Sequence, residues 1–167
     1  MKRLFLLRHA KAVPGHGGRD HERALADRGR SDAPAMGRAM ARRGFLPDLV
    51  LCSTAKRTAE TLDLVLPFLT PAPECRLEPG LYHAEAAAIL ERAAALDGAV
   101  NAALFIGHNP GLEELALRLA GDGPIARRIE EKFPTCALAV FESAAPDWRR
   151  AAAGPWTPLA FLTPASL

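Results

Sequence analysis

Met1-Lys2-Arg3-Leu4-Phe5-Leu6-Leu7-Arg8-His9-Ala10 opens the chain. Four consecutive apolar residues between charged ones predict a short strand covered on both faces, although periodicity alone does not separate such a run from a buried helical segment. Arg8-His9 follows without a spacer, where the strand leaves the core, and open α/β sheets place their chemistry at that edge. Arg8 offers a fixed fork of donors suited to phosphate or carboxylate oxygens, and His9 can serve as nucleophile, general base or metal ligand. Taken alone, the pair reads as a capped strand. Its meaning depends on what the rest of the chain brings to the same edge.

The length of 167 residues suits one domain (1–167) with a core that needs no staples. Hydrophobic residues at 49%, charged residues at 24% and a formal net charge of +2 describe an ordinary globular chain. The arginines are dispersed and there is no polybasic tail, so neither nucleic acid nor membrane is expected as a partner. Cys52, Cys75 and Cys136 are odd in number and far apart, without CxxC spacing, and read as reduced, buried thiols in a cytoplasmic protein. The apolar stretch after Lys2-Arg3 is too short for a signal peptide, and no run approaches a membrane span.

Pro14-Gly15-His16-Gly17-Gly18-Arg19-Asp20 is a polar loop lying after the first strand, with His16 and His21 as solvated residues or possible ligands. A helix is predicted from Asp27, with Ala33, Met36, Met40 and Phe45 on one stripe and Gly44 ending it. Leu49-Val50-Leu51-Cys52 predicts a second buried strand. Ser53 or Thr54 then caps a helix that carries Arg57 in its first turn, where a cation works against the helix dipole and suits a ligand's negative charge. A short strand at Glu74–Leu77 and a helix between Ala84 and Leu96, with Ala88, Ile89, Ala93 and Leu96 inward, come next. Asn101–Ile106 is a third buried strand, ending in Gly107-His108-Asn109-Pro110-Gly111 at a helix start, itself an anion-binding end. Cys136–Phe141 and Thr157–Leu162 are two late strands joined by a polar turn, with Trp148 and Trp156 covering the sheet.

Three strands thus end in Arg8-His9, Ser53 to Arg57 and Gly107-His108. In a doubly wound sheet the carboxyl ends of parallel strands share one edge, so two arginines and two histidines converge there. Such a cluster suits phosphoryl transfer: a neutral histidine attacks phosphorus while Arg8, Arg57 and protonated His108 hold the oxygens, and water then releases phosphate.

These motifs, Leu7-Arg8-His9-Ala10, Ser53-x-Ala55-x-Arg57-Thr58-x-x-Thr61 and Gly107-His108-Asn109-Pro110-Gly111, resemble the histidine phosphatase superfamily, and within it the small SixA-type phosphohistidine phosphatases. Asp20-x-x-Arg23 with Leu25 and Gly29 fits the same order. The resemblance implies an α/β fold, a three-layer α/β/α sandwich around a mostly parallel sheet, phosphoglycerate mutase-like, with no metal and no cofactor. It implies His9 as phosphate-accepting nucleophile, Arg8, Arg57 and His108 as the phosphate pocket, and Ser53 and Asn109 as further substrate donors. Larger relatives carry a glutamate acid in an insertion after the third strand. Here that region is only Glu78-Pro79-Gly80-Leu81-Tyr82-His83, where Glu78 and His83 are either the acid or loop residues.

An unactivated ester needs a proton on its leaving alkoxide, and general acid catalysis contributes roughly 10²–10⁴ in rate. A P–N bond takes its proton from solvent, so the compact site favours phosphohistidine over a small phosphorylated molecule; that this phosphorylated histidine belongs to a signalling or phosphotransfer protein is what the resemblance implies. Three readings compete: a broad small-molecule phosphomonoesterase, a phosphate-binding module without turnover, and a cysteine-dependent phosphatase built on Cys52 and Arg57. The last has four intervening residues where its loop needs five. A metal hydrolase lacks HExxH or similar spacing.

Overall fold

The computed structural model describes residues 1–15 and 17–167, so the reading of His16 lies outside the described residues. Its elements in chain order are β1 (Lys2–Arg8), α1 (Asp27–Arg43), β2 (Leu49–Ser53), α2 (Lys56–Val65), β3 (Glu74–Glu78), α3 (Ala86–Ala94), β4 (Ala102–Gly107), α4 (Gly111–Ala120), α5 (Pro124–Glu131), β5 (Leu138–Ser143), α6 (Trp148–Ala153) and β6 (Thr157–Leu162). Single helical turns lie at Asp20–Glu22 and Pro79–Leu81, both of which matter to the site.

One sheet of six strands runs β3-β2-β4-β1-β5-β6. The pairs β1/β4, β4/β2 and β2/β3 are parallel, whereas β5 is antiparallel to both its neighbours. Five strands therefore point one way, and the mostly parallel sheet is as expected. β1 lies at the centre because its residues pack on both faces. Leu4 and Leu6 join Leu51, Phe105 and Trp148 in one core, while Phe5 and Leu7 join Met36, Val50 and Ile106 in the other. Each such side chain contributes roughly 1.5–3 kcal/mol on burial. The first core is covered by α3, α4, α5 and α6 and the second by α1 and α2, which makes the three layers.

Several elements differ in detail. α1 ends at Gly44 in the left-handed region (φ 69°), as its sequence requires. α2 begins later than a Ser53 or Thr54 cap implies: Ala55 occupies the N-cap with no side-chain hydrogen bond, because Ser53 is still in strand. In α3 it is Leu90 that packs inward beside Ile89 and Ala93, while Ala88 is exposed. Cys136 lies before β5 at φ 61°, where its N–H donates to both Arg8 O (3.2 Å) and His9 O (2.9 Å). The turn between the late strands contains α6, on which Trp148 is buried. Cys52 and Cys136 are buried free thiols, but Cys75 is exposed on the edge strand β3. Gly29 lets α1 pass the segment after β1, since a Cβ there would come 2.2 Å from Lys11 O. Among the described residues no helix is long and apolar enough to cross a membrane.

Candidate active site

β1, β2 and β4 end at one edge, in register: Arg8 pairs with Gly107, and Cys52 with Ile106. Arg8, His9, Arg57 and His108 meet there as the sequence predicts. The loop motif around Arg57 works as a splint. Thr61 Oγ1 accepts from Ala10 N–H (3.0 Å) and donates to Arg57 O (2.7 Å), so the end of β1 is tied to the first turn of α2. Thr58 Oγ1 lies 2.8 Å from the carbonyls of Ser53 and Ala55.

His9 is buried, and its Nδ1 lies 2.7 Å from Ala10 O. A carbonyl only accepts, so Nδ1 carries the hydrogen and Nε2 keeps its lone pair. Burial, aided by Arg57, Arg8 and Arg23, pushes the pKa of His9 down to about 4. It is therefore a neutral imidazole at pH 7 with one free nitrogen, the state a nucleophile needs.

His108 stands 5.4 Å from His9 between ring centroids. Its Nε2–H donates to Ser53 Oγ at 2.8 Å, and Arg57 Nη2 lies 3.4 Å from its Nδ1. Burial, with His9, Arg57 and His83 around it, brings its pKa down to about 3. The protonated His108 of the sequence reading is thus neutral in the protein by itself. A phosphoryl dianion would reverse this, because an adjacent negative charge favours the imidazolium.

Arg57 is almost fully buried, and Asp20 takes both of its terminal nitrogens: Nη1 donates to Asp20 O (2.8 Å) and Nη2 to Asp20 Oδ2 (3.1 Å). Arg8 Nη1 donates to Phe133 O (3.0 Å). Among the described residues the buried Nε–H groups of Arg8 and Arg57 have no partner, two cationic donors suited to an anion.

The remaining sequence candidates separate. Ser53 is fully buried; its Oγ accepts from Ala55 N–H (3.3 Å) and from His108, so it orients that ring and is not a surface donor. Asn109 Nδ2 donates to Phe133 O (3.0 Å), the carbonyl that also holds Arg8, leaving only Oδ1 unpaired. Glu78 lies at the end of β3 and is gripped by Arg92 (2.6 Å), which holds its carboxyl below the ordinary value. His83 does reach the site: its ring is 5.3 Å from His108, and its Nε2 is 3.4 Å from both Arg57 Nη2 and Asp20 Oδ2. The cysteine reading fails because the Cys52 side chain packs into the core beneath α1 and α2, and burial pushes its thiol up to about 12.

Two residues escaped a site role in the sequence reading. Tyr82 stacks on His83 (4.1 Å), meets His21 edge-on (4.8 Å) and donates its hydroxyl to Asp20 Oδ2. Asp20 also accepts from Arg23 Nε (3.1 Å), and these bonds, Tyr82 foremost, keep its carboxyl ionised well below the usual range. The spacing Asp20-x-x-Arg23 was visible, but its contact with Arg57 crosses 37 residues.

Residues 4–89 match the family model of the histidine phosphatase superfamily (branch 1), and the chain belongs to that superfamily. Within it the kinship is SixA-type. A chain assigned as SixA from Agrobacterium tumefaciens is 29% identical and superimposes with a TM-score of 0.83 over 97% of both chains. The protein histidine phosphatase SixA complexed with tungstate, 22% identical, shares the fold with a TM-score of 0.79 over 98% of this chain and 97% of that one. The uncharacterized protein Rv1276c of Mycobacterium tuberculosis is 38% identical over 144 residues, 83% of this chain and 87% of its own.

Proposed function

We propose that the chain is a phosphatase that forms a phosphohistidine on His9 and removes phosphate from phosphohistidine in a partner protein. The observation that carries this is His9 itself: neutral, with Nδ1–H fixed on Ala10 O and Nε2 free, beside Arg8, Arg57 and His108. In the first step the Nε2 pair forms a bond to phosphorus as the substrate's P–N bond breaks, its pair returning to the substrate ring. In the second, water attacks phosphorus, the His9 P–N bond breaks with its pair returning to Nε2, and phosphate leaves carrying the water's oxygen and protons. The arginines supply the charge for the equatorial oxygens, and His108 gains a proton as the dianion settles.

The substrate class rests on the absence, among the described residues, of a protonated carboxyl at the site; His83, the other sequence candidate, does reach it. Among the described carboxylates near the site, Glu78 is held by Arg92 and Asp20 is ionised, so neither has a proton for an alkoxide. An oxyanion such as tungstate suits the same donors, and the SixA relative bears it in its structure.

The test is phosphate release, in the presence of a chelator, from a phosphohistidine peptide and from an aryl phosphate, with His9→Ala as control. Preference for the peptide, lost in the variant, is the expected result. Equal or better turnover of the ester would make the protein a broad phosphomonoesterase, and release from neither would leave a phosphate-binding module.

A further inference from the structure

We infer that Asp20, beside Tyr82, selects substrates whose leaving group is a protonated planar ring, and so determines specificity for phosphohistidine over phosphate esters. This rests on the phosphatase reading above. In an in-line displacement the leaving group departs on the side of phosphorus away from His9. The wall such a leaving group would meet is assigned to Asp20, Tyr82 and His83, which border Arg57 and His108: Tyr82 and His83 lie 5.5 Å and 5.3 Å from the His108 ring, and Asp20 Oδ2 lies 3.1 Å from Arg57 Nη2.

The chemistry of that wall is unusual for a phosphate pocket. A carboxylate beside the arginine that should hold phosphate repels a dianion; beyond anchoring Arg57, Asp20 suits a substrate that also brings a positive charge. Phosphohistidine brings one when its second ring nitrogen is protonated. Asp20, with 45% of its side chain exposed, accepts that N–H beside the Tyr82 ring, which already has His83 stacked on it at 4.1 Å and the Arg57 guanidinium 6.0 Å from its centroid.

The electron balance explains how the site releases such a ring without a protonated carboxyl. When P–N breaks, the pair goes to the ring nitrogen and neutralises the imidazolium, while the proton stays on the far nitrogen against Asp20. The leaving group departs as neutral imidazole with no proton transfer to the departing atom. An ester has no such proton in place. Asp20 thus does by charge what Glu78, tied to Arg92, does not do by proton donation.

The experiment compares kcat/KM for a phosphohistidine peptide and an aryl phosphate in the wild type, Asp20→Asn and Asp20→Glu. Inorganic phosphate binding reports whether the Arg57 pocket survives. The expected result is a fall of at least about tenfold in the peptide-to-ester ratio for Asp20→Asn, with phosphate still bound and the ratio partly restored in Asp20→Glu. A parallel loss on both substrates, with weaker phosphate binding, would make Asp20 a prop for Arg57 and overturn the inference alone. An unchanged ratio would overturn it too. Wild-type protein inert on both substrates would remove the phosphatase reading and this inference with it.

Discussion

Replacing His9 with Gln removes a ring whose pKa the fold holds at about 4, against about 6.5 in an unfolded chain. The folded value is the lower one, so between these limits the unfolded chain binds a proton that the native ring refuses. Wild-type stability therefore falls as pH drops from about 6.5 to about 4, and the penalty stops growing below the folded value. At about 1.4 kcal/mol per pH unit, the loss reaches about 3 kcal/mol by pH 4. Discounting for solvent is small, because the ring is only 7% exposed. Urea unfolding at about pH 7, 5.5 and 4 measures it, and the difference between wild type and His9→Gln cancels the carboxylates that titrate in both. The expected outcome is a variant that is close to the wild type in pH dependence above about pH 7 and loses about 3 kcal/mol less on acidification. Curves that stay parallel down to pH 4 would show that His9 titrates normally, and the case for a neutral, ready nucleophile would fall.

Arg57→Lys keeps the charge but loses the fork that spans His108, Asp20 and the incoming phosphoryl group, and a loss of about 10²–10³ in kcat/KM for phosphate release is expected. Gly111→Ala would place a Cβ 2.0 Å from Ala84 O, pushing away the segment that carries Tyr82 and His83. Thermal unfolding should show about 1–3 kcal/mol of destabilisation, with KM raised. Glu78→Gln leaves the site chemistry alone if Arg92 is its true partner, so kcat on an ester should move by less than about twofold, where loss of a general acid would cost at least about 10².

The fold was legible because β1, β2 and β4 carry continuous apolar runs that only a sheet covered on both sides can bury, and each run is followed by polar residues at the same edge of the sheet. The same logic located Arg8, His9, Arg57 and His108. Legibility failed where a side chain's partner is remote. Ser53 ends β2, yet its hydroxyl faces His108, 55 residues on. Glu78 has the composition of an acid, but Arg92 on α3 takes its carboxylate. Asn109 follows the site histidine directly and still turns to Phe133. α6 was hidden in a polar turn because six residues with one buried Trp carry too little period to register.

What the amino-acid order determined by itself is the set of strands, their shared edge and the four groups delivered to it, since hydrophobic runs and the residues that end them are local properties of the chain. Only the tertiary structure decided the protonation and tautomer of His9 and His108, the occupation of Arg57 by Asp20 and the wall of Tyr82 and His83. These depend on burial and on charges brought together from segments far apart in sequence, and such fields exist only once the sheet has assembled.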